Sequence, residues 1–120
     1  MDKKILVVDD EPDILRLVTF RLKKYGCEVL SATNGKEGYE LICKEKPDLV
    51  LLDLRLPELD GTEVARKVKE DPQLSSVPIV ILTASADAAD LEIIKELKVE
   101  GYLTKPFELA DLFATVEKYI

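Results

Sequence analysis

Asp9, Asp10, Asp53, Thr83 and Lys105 each stand at, or just beyond, the end of a short apolar run. Three carboxylates brought to one place repel, and without compensation at least one is driven to a raised pKa. A divalent cation is the natural compensation. Oxygen donors with no histidine and no suitably spaced cysteine suit Mg²⁺, or Mn²⁺ in its place. Lys105 offers a point charge suited to phosphate, and Thr83 a hydroxyl able to follow a phosphoryl oxygen. With metal and lysine neutralising its surroundings, a central carboxylate can attack phosphorus, and Asp53 is the best-placed candidate. Taken singly, each residue has an ordinary role: Asp as cap or turn former, Thr as β-branched strand end, Lys as solvated charge. Only their joint placement speaks for chemistry.

The elements that must bring them together can be read in order. Ile5-Leu6-Val7-Val8 is a strand that breaks into Asp9-Asp10-Glu11-Pro12-Asp13, with proline suited to a first helical turn. From Ile14 to Tyr25, the residues Ile14, Leu15, Leu17, Val18, Leu22 and Tyr25 share one helical stripe, and Gly26 stops the helix. Residues 28–32 form a weaker strand. Asn34 then caps a helix, Glu37 reaches back to it, and Gly38 implies close packing against a neighbour.

Leu49-Val50-Leu51-Leu52-Asp53 reads as a strand buried on both faces. A loop marked by Pro57 and Gly61 leads to a charged helix with Val64, Ala65 and Val68 inward, giving out near Asp71-Pro72. Residues 78–83 form a fourth strand, and Asp87 caps a helix through Leu97 with Asp90 as a capping-box substitute. A short strand, Gly101-Tyr102-Leu103-Thr104, and a last helix with Leu109, Leu112, Phe113, Val116 and Ile120 inward complete the chain.

Five strands alternating with five helices imply an α/β fold: a doubly wound parallel sheet with helices on both faces, a three-layer sandwich. The commonest order for five strands, 2-1-3-4-5, is that of flavodoxin-like proteins and places ligands at the carboxyl ends of the central strands. That rule gathers the five polar residues on one rim.

The 120 residues, 47% hydrophobic and 34% charged, suffice for one domain with a real core. The net charge of −7, with no histidine and no cluster of Lys and Arg, speaks against a nucleic-acid surface. Cys27 and Cys43 read as two buried or half-buried thiols. Met1-Asp2-Lys3-Lys4 leads straight into the first strand, and no apolar run approaches a membrane span of roughly 18 residues, so a soluble cytoplasmic protein is expected.

Val8-Asp9-Asp10, the Asp53 strand with Pro57 and Asp60-Gly61, Leu82-Thr83-Ala84, and Tyr102-Leu103-Thr104-Lys105-Pro106-Phe107 together resemble the receiver domain of two-component response regulators, over the whole chain, 1–120. The resemblance implies that Asp53 accepts a phosphoryl group from a phosphohistidine of a sensor histidine kinase or histidine phosphotransfer protein. It implies Mg²⁺ held by Asp10, Asp53 and the backbone carbonyl of Arg55, with Asp9 acting mainly through water. It further implies a cis Lys105-Pro106 bond, a Thr83 that swings toward the phosphoryl group, and a Tyr102 that turns inward behind it. The face made by the fourth helix, fifth strand and fifth helix would then meet an output partner.

Leu56 and Leu59 stand where methionine is frequent in the family, and Lys98 where a glycine often closes the fourth helix. Arg55 and Ser85 hold positions that in relatives modulate phosphoryl lifetime. Ile14 and Leu15 serve either as kinase contacts or as core, and Phe20 lies at the stripe's edge. An FMN-binding flavodoxin would find its phosphate repelled by Asp9-Asp10-Glu11. An aspartyl-phosphate phosphohydrolase would place a second Asp where Arg55 stands. A pseudo-receiver that only binds partners would lack the acidic pair, the acceptor Asp or the lysine.

Overall fold

The computed structural model describes residues 3–84 and 87–120. Five strands, β1 (Lys4–Val8), β2 (Glu28–Ala32), β3 (Leu49–Asp53), β4 (Ile79–Thr83) and β5 (Gly101–Thr104), form one parallel sheet in the expected order β2-β1-β3-β4-β5. They alternate with α1 (Pro12–Lys24), α2 (Gly35–Glu45), α3 (Gly61–Glu70), α4 (Ala88–Leu97) and α5 (Leu109–Tyr119). The doubly wound sandwich is thus confirmed. Among the described residues, no helix is long and apolar enough to cross a membrane.

Strand side chains alternate between two cores because successive residues point to opposite faces. Leu6, Val8, Val50, Leu52, Ile79 and Ile81 pack with Ile42 of α2, Val64, Ala65 and Val68 of α3, and Ile94 and Leu97 of α4. On the other face Ile5, Val7, Leu49, Leu51, Val80 and Leu82 pack with Val18 and Leu22 of α1 and Leu112 and Val116 of α5. Burial on both faces is why β1, β3 and β4 read as unbroken apolar runs. Gly38 meets the expectation of close packing, since a Cβ there would lie 2.9 Å from Val8 Cγ1.

Several local expectations are corrected. Helix α1 opens at Pro12, as the proline implied, but its buried stripe is narrower than expected: Val18 and Leu22 are fully buried, whereas Leu17 and Tyr25 are exposed. Ile14 and Leu15 pack against the α1/α5 core. Ile120 is exposed beyond the end of α5, and Cys43 is exposed on α2 while Cys27 is buried, both thiols being free. Asn34 Oδ1 caps α2 by accepting from Glu37 N at 2.8 Å, but Glu37 Oε1 accepts from Thr33 N, one residue before the expected position.

Lys98 ends α4 in the left-handed region, φ 59 and ψ 33, and so adopts the conformation that glycine takes at many helix ends. A Cβ there is sterically costly by roughly 1 kcal/mol. Lys98→Gly should therefore raise stability by about 0.5–1 kcal/mol in urea unfolding, with an unchanged slope. A loss of stability would show that the lysine side chain contributes more than its backbone costs.

Candidate functional site

Strand register sets the rim. Val8 pairs with Leu52, so Asp9 and Asp53 emerge side by side from neighbouring strands. Asp53 pairs with Leu82, so Thr83 stands one residue further out, and Thr83 pairs with Thr104, so Lys105 stands one further again. Each step is about 3.3 Å. The lysine's long stem spans this staircase, and Lys105 Nζ reaches Asp53 Oδ2 at 3.3 Å and Asp9 Oδ2 at 2.9 Å.

The loop after β3 is held tightly. Arg55 N donates to Asp53 Oδ1 at 3.2 Å, fixing the carboxylate from the backbone side. Asp60 accepts from Thr62 Oγ1 at 2.7 Å and from Leu56 N at 3.4 Å, bracing the turn into α3. At Gly61 a Cβ would lie 2.0 Å from Asp53 O, so only glycine lets α3 start this close to the end of β3. Lys105 N donates to Thr83 O at 2.7 Å, and the Lys105-Pro106 peptide is cis, as expected.

Asp9, Asp53 and Thr83 are buried, whereas Asp10 is exposed. Lys105 is no solvated surface charge: its side chain is 9% exposed. Burial, more than carboxylate repulsion, pushes Asp53 up to about 6; the Lys105 charge and the Arg55 N–H oppose that rise, and the Asp9 charge adds to it. Burial pulls Lys105 down, but the close approach of the Asp9 and Glu11 carboxylates and the charge of Asp53 outweigh it, so the ammonium is held firmly protonated.

Oxygen atoms of Asp9, Asp10 and Asp53 lie within 4.8 Å of one another, the spacing of a metal site. Asp9 Oδ2 is buried with no hydrogen-bond partner among the described residues, although Lys105 Nζ lies near it. An all-oxygen donor set with an unsatisfied buried carboxylate oxygen fits a hard divalent cation.

A cleft of about 360 Å³ opens onto Asp53 and is lined by Asp10, Glu11, Arg55, Thr83, Asp90 and Lys105 among others. The structure thus brings together all five residues singled out in the sequence. Ser85 lies outside the described residues. Two features were missed. Glu11 Oε1 accepts from Lys105 Nζ at 2.9 Å, and Arg55 reaches across the cleft to Asp90 Oδ1 at 3.3 Å. Glu11 had a signal, its place in an acidic run at a strand end. The Arg55–Asp90 pair had none, since Asp90 lies 35 residues on and was read as part of a cap. Asp87 does cap α4, accepting from Asp90 N at 2.9 Å.

Residues 5–117 match the response regulator receiver domain family. The chain belongs to that family, and solved structures similar to it agree. A putative response regulator from Chloroflexus aurantiacus is 31% identical with a TM-score of 0.93, the match covering 99% of this chain and 98% of that one. The chemotaxis protein CheY4 of Vibrio cholerae is 28% identical over the full length of both chains, with a TM-score of 0.91. The receiver domain of sensor histidine kinase PA1611 from Pseudomonas aeruginosa, solved with a magnesium ion in its active-site cleft, is 29% identical with a TM-score of 0.91, covering 99% and 98% of the two chains.

The raised pKa of Asp53 has a stability consequence. An acid whose folded value, about 6, exceeds its ordinary value of 3.8 binds more protons folded than unfolded, so stability falls as pH rises between those values. The full penalty, at most about 3 kcal/mol, is reached above pH 6–7. In EDTA, Asp53→Asn should be more stable than the parent by about 1–3 kcal/mol at pH 7.5, the gap closing toward pH 4. Titrating groups remote from Asp53 are common to both proteins and cancel in the difference, whereas Asp9 and Lys105, which feel its charge, do not. A gap independent of pH would contradict the burial of a charged Asp53.

Proposed function

We propose that this chain, read as one receiver domain over 1–120, is a phosphoaccepting signalling switch whose acceptor is Asp53. The observation that carries the reading is the approach of a protonated Lys105 to within 3.3 Å of a buried Asp53, beside two further carboxylates. The donor is the phosphohistidine of a sensor histidine kinase or histidine phosphotransfer protein. Asp53 Oδ attacks phosphorus, the P–N bond breaks, and the imidazole nitrogen keeps the electron pair, leaving an acyl phosphate on Asp53. With a pKa of about 6, Asp53 is about nine-tenths ionised at pH 7 and available as nucleophile.

Lys105 donates to a phosphoryl oxygen, and the Thr83 hydroxyl turns toward another. Asp10, Asp53 and the Arg55 backbone carbonyl would hold Mg²⁺, or Mn²⁺, with Asp9 acting mainly through water. The ion would supply positive charge against the phosphoryl oxygens. The relative crystallised with magnesium in its cleft, 29% identical, supports that assignment. The domain promotes only its own phosphorylation and slow dephosphorylation, and so is not an enzyme acting on other substrates.

Phosphorylation takes Asp53 from about −1 to roughly −2 and adds acceptor oxygens. Thr83 and Tyr102 are the switch: Tyr102 stands on β5, 44% exposed, in the outward position from which it would turn in as Thr83 moves. The α4-β5-α5 face then changes and meets an output domain or protein. Phe20, 55% exposed on α1, is the side chain most open to a kinase or phosphotransfer partner, whereas Ile14 and Leu15 serve the core. The reading places the protein in the cytoplasm, with no direct contact to nucleic acid or membrane.

Incubation with acetyl phosphate and Mg²⁺, followed by intact mass measurement, should add one acid-stable, alkali-labile phosphoryl group to the parent and none to Asp53→Asn. No gain by the parent would leave a pseudo-receiver that only binds partners. Mg²⁺ alone should also stabilise the protein, by about 1.4 kcal/mol at ten times its Kd. Asp10→Asn should abolish that stabilisation in thermal melts, and an unchanged response would place the ion elsewhere.

A further inference from the structure

Three carboxylates surround the Lys105 ammonium, and Glu11 makes the closest bond. Glu11 Oε1 accepts from Nζ at 2.9 Å, against 3.3 Å for Asp53 Oδ2. Asp9 Oδ2 lies 2.9 Å from the same nitrogen, yet has no hydrogen-bond partner among the described residues. The ammonium protons are thus directed at Glu11 and Asp53, and buried Asp9 keeps only the ionic attraction.

Exposure separates the three partners: the side chains of Asp9 and Asp53 are 0% and 9% exposed, that of Glu11 59%. Glu11 can leave the lysine at little cost, because water receives its carboxylate, whereas the other two would lose partners while buried. Its backbone is pinned. Glu11 N donates to Asp9 Oδ1 at 2.9 Å, and Glu11 O accepts from Leu15 N at 3.0 Å where α1 opens. Only the side chain is left to swing, and it lines the same cleft as Asp53 and Thr83.

An oxyanion bonded to Lys105 beside Asp53 is what a phosphoryl group on Asp53 presents. We propose that Glu11 is a resting-state stand-in for the phosphoryl group, occupying the Lys105 donor that a phosphoryl oxygen requires and leaving it when Asp53 is phosphorylated. The inference rests on the receiver reading. Glu11 then opposes phosphorylation by competing for the donor, which needs reach, and by repelling an incoming dianion, which needs only charge. Glu11→Asp keeps the charge but loses a methylene. Glu11→Ala loses both, at little cost to the fold, because the Glu11 side chain caps no helix N–H.

Parent, Glu11→Asp and Glu11→Ala would be compared, with thermal melts as fold control, for phosphorylation rate with acetyl phosphate and Mg²⁺ and for beryllofluoride affinity. Both variants should react faster and bind tighter, by about three- to tenfold. The Lys105 Nζ resonance should differ between parent and variants when free and coincide when beryllofluoride is bound. Glu11→Asp behaving as the parent, either variant reacting more slowly, or bound resonances that still differ would each overturn the stand-in. A parent that loads normally while the variants gain nothing sinks this inference alone; a parent that takes neither phosphoryl group nor beryllofluoride sinks the receiver reading with it.

Discussion

The ammonium of Lys105, set among the carboxylates of Asp9, Glu11 and Asp53, is the interaction on which the site depends. The fold buries two of those carboxylates at the ends of central strands, where loss of water disfavours their charge. One buried cation offsets part of that cost, but not all of it. Asp53 is left with its pKa pushed up to about 6, and Asp9 Oδ2 without a hydrogen bond among the described residues. A site whose negative charge exceeds its compensation is primed for further positive charge, and a hard cation supplies it.

The sheet explains why this imbalance persists instead of relaxing. Val50, Leu51 and Leu52 are fully buried between two cores, and Arg55 N and the close approach of Gly61 lock the loop beyond them. Asp53 cannot retreat toward solvent. Adjustment has to come from the other side of the rim, where β5 is an edge strand with alternate residues exposed and Tyr102 faces outward. A rigid mount facing a softer edge is the arrangement that turns a local charge change into a change of surface.

Much of this was legible in the sequence for a specific reason. Strands buried on both faces are short apolar runs, and their ends are marked by abrupt polar residues, so Asp9, Asp53 and Thr83 announced the rim once the strand order was assumed. Asn34 and Asp87 announced helix starts through their capping oxygens. Depth was not legible: the sequence shows that carboxylates converge, but not that burial outweighs their repulsion as the cause of the raised Asp53 pKa. Nor were Glu11–Lys105 and Arg55–Asp90, which depend on rotamers and on the path of loops. Leu17 was misplaced because helical periodicity gives the direction of an apolar side chain without showing how wide an arc of the helix its neighbours cover.

The residues of the site divide by exposure, and the division matches what each can do. Asp9, Asp53 and Lys105 are held in place by the sheet and by one another, and under the proposed function they would fix the geometry in which phosphorus is attacked. Asp10, Glu11 and Arg55 are exposed, and the last two reach across the cleft to partners on other elements, Lys105 and Asp90. Pairs with one exposed member can open at small cost, because the released charge is solvated. Under the proposed function the buried set would carry the phosphoryl chemistry. The exposed set would then govern how readily the cleft admits and releases a phosphoryl group.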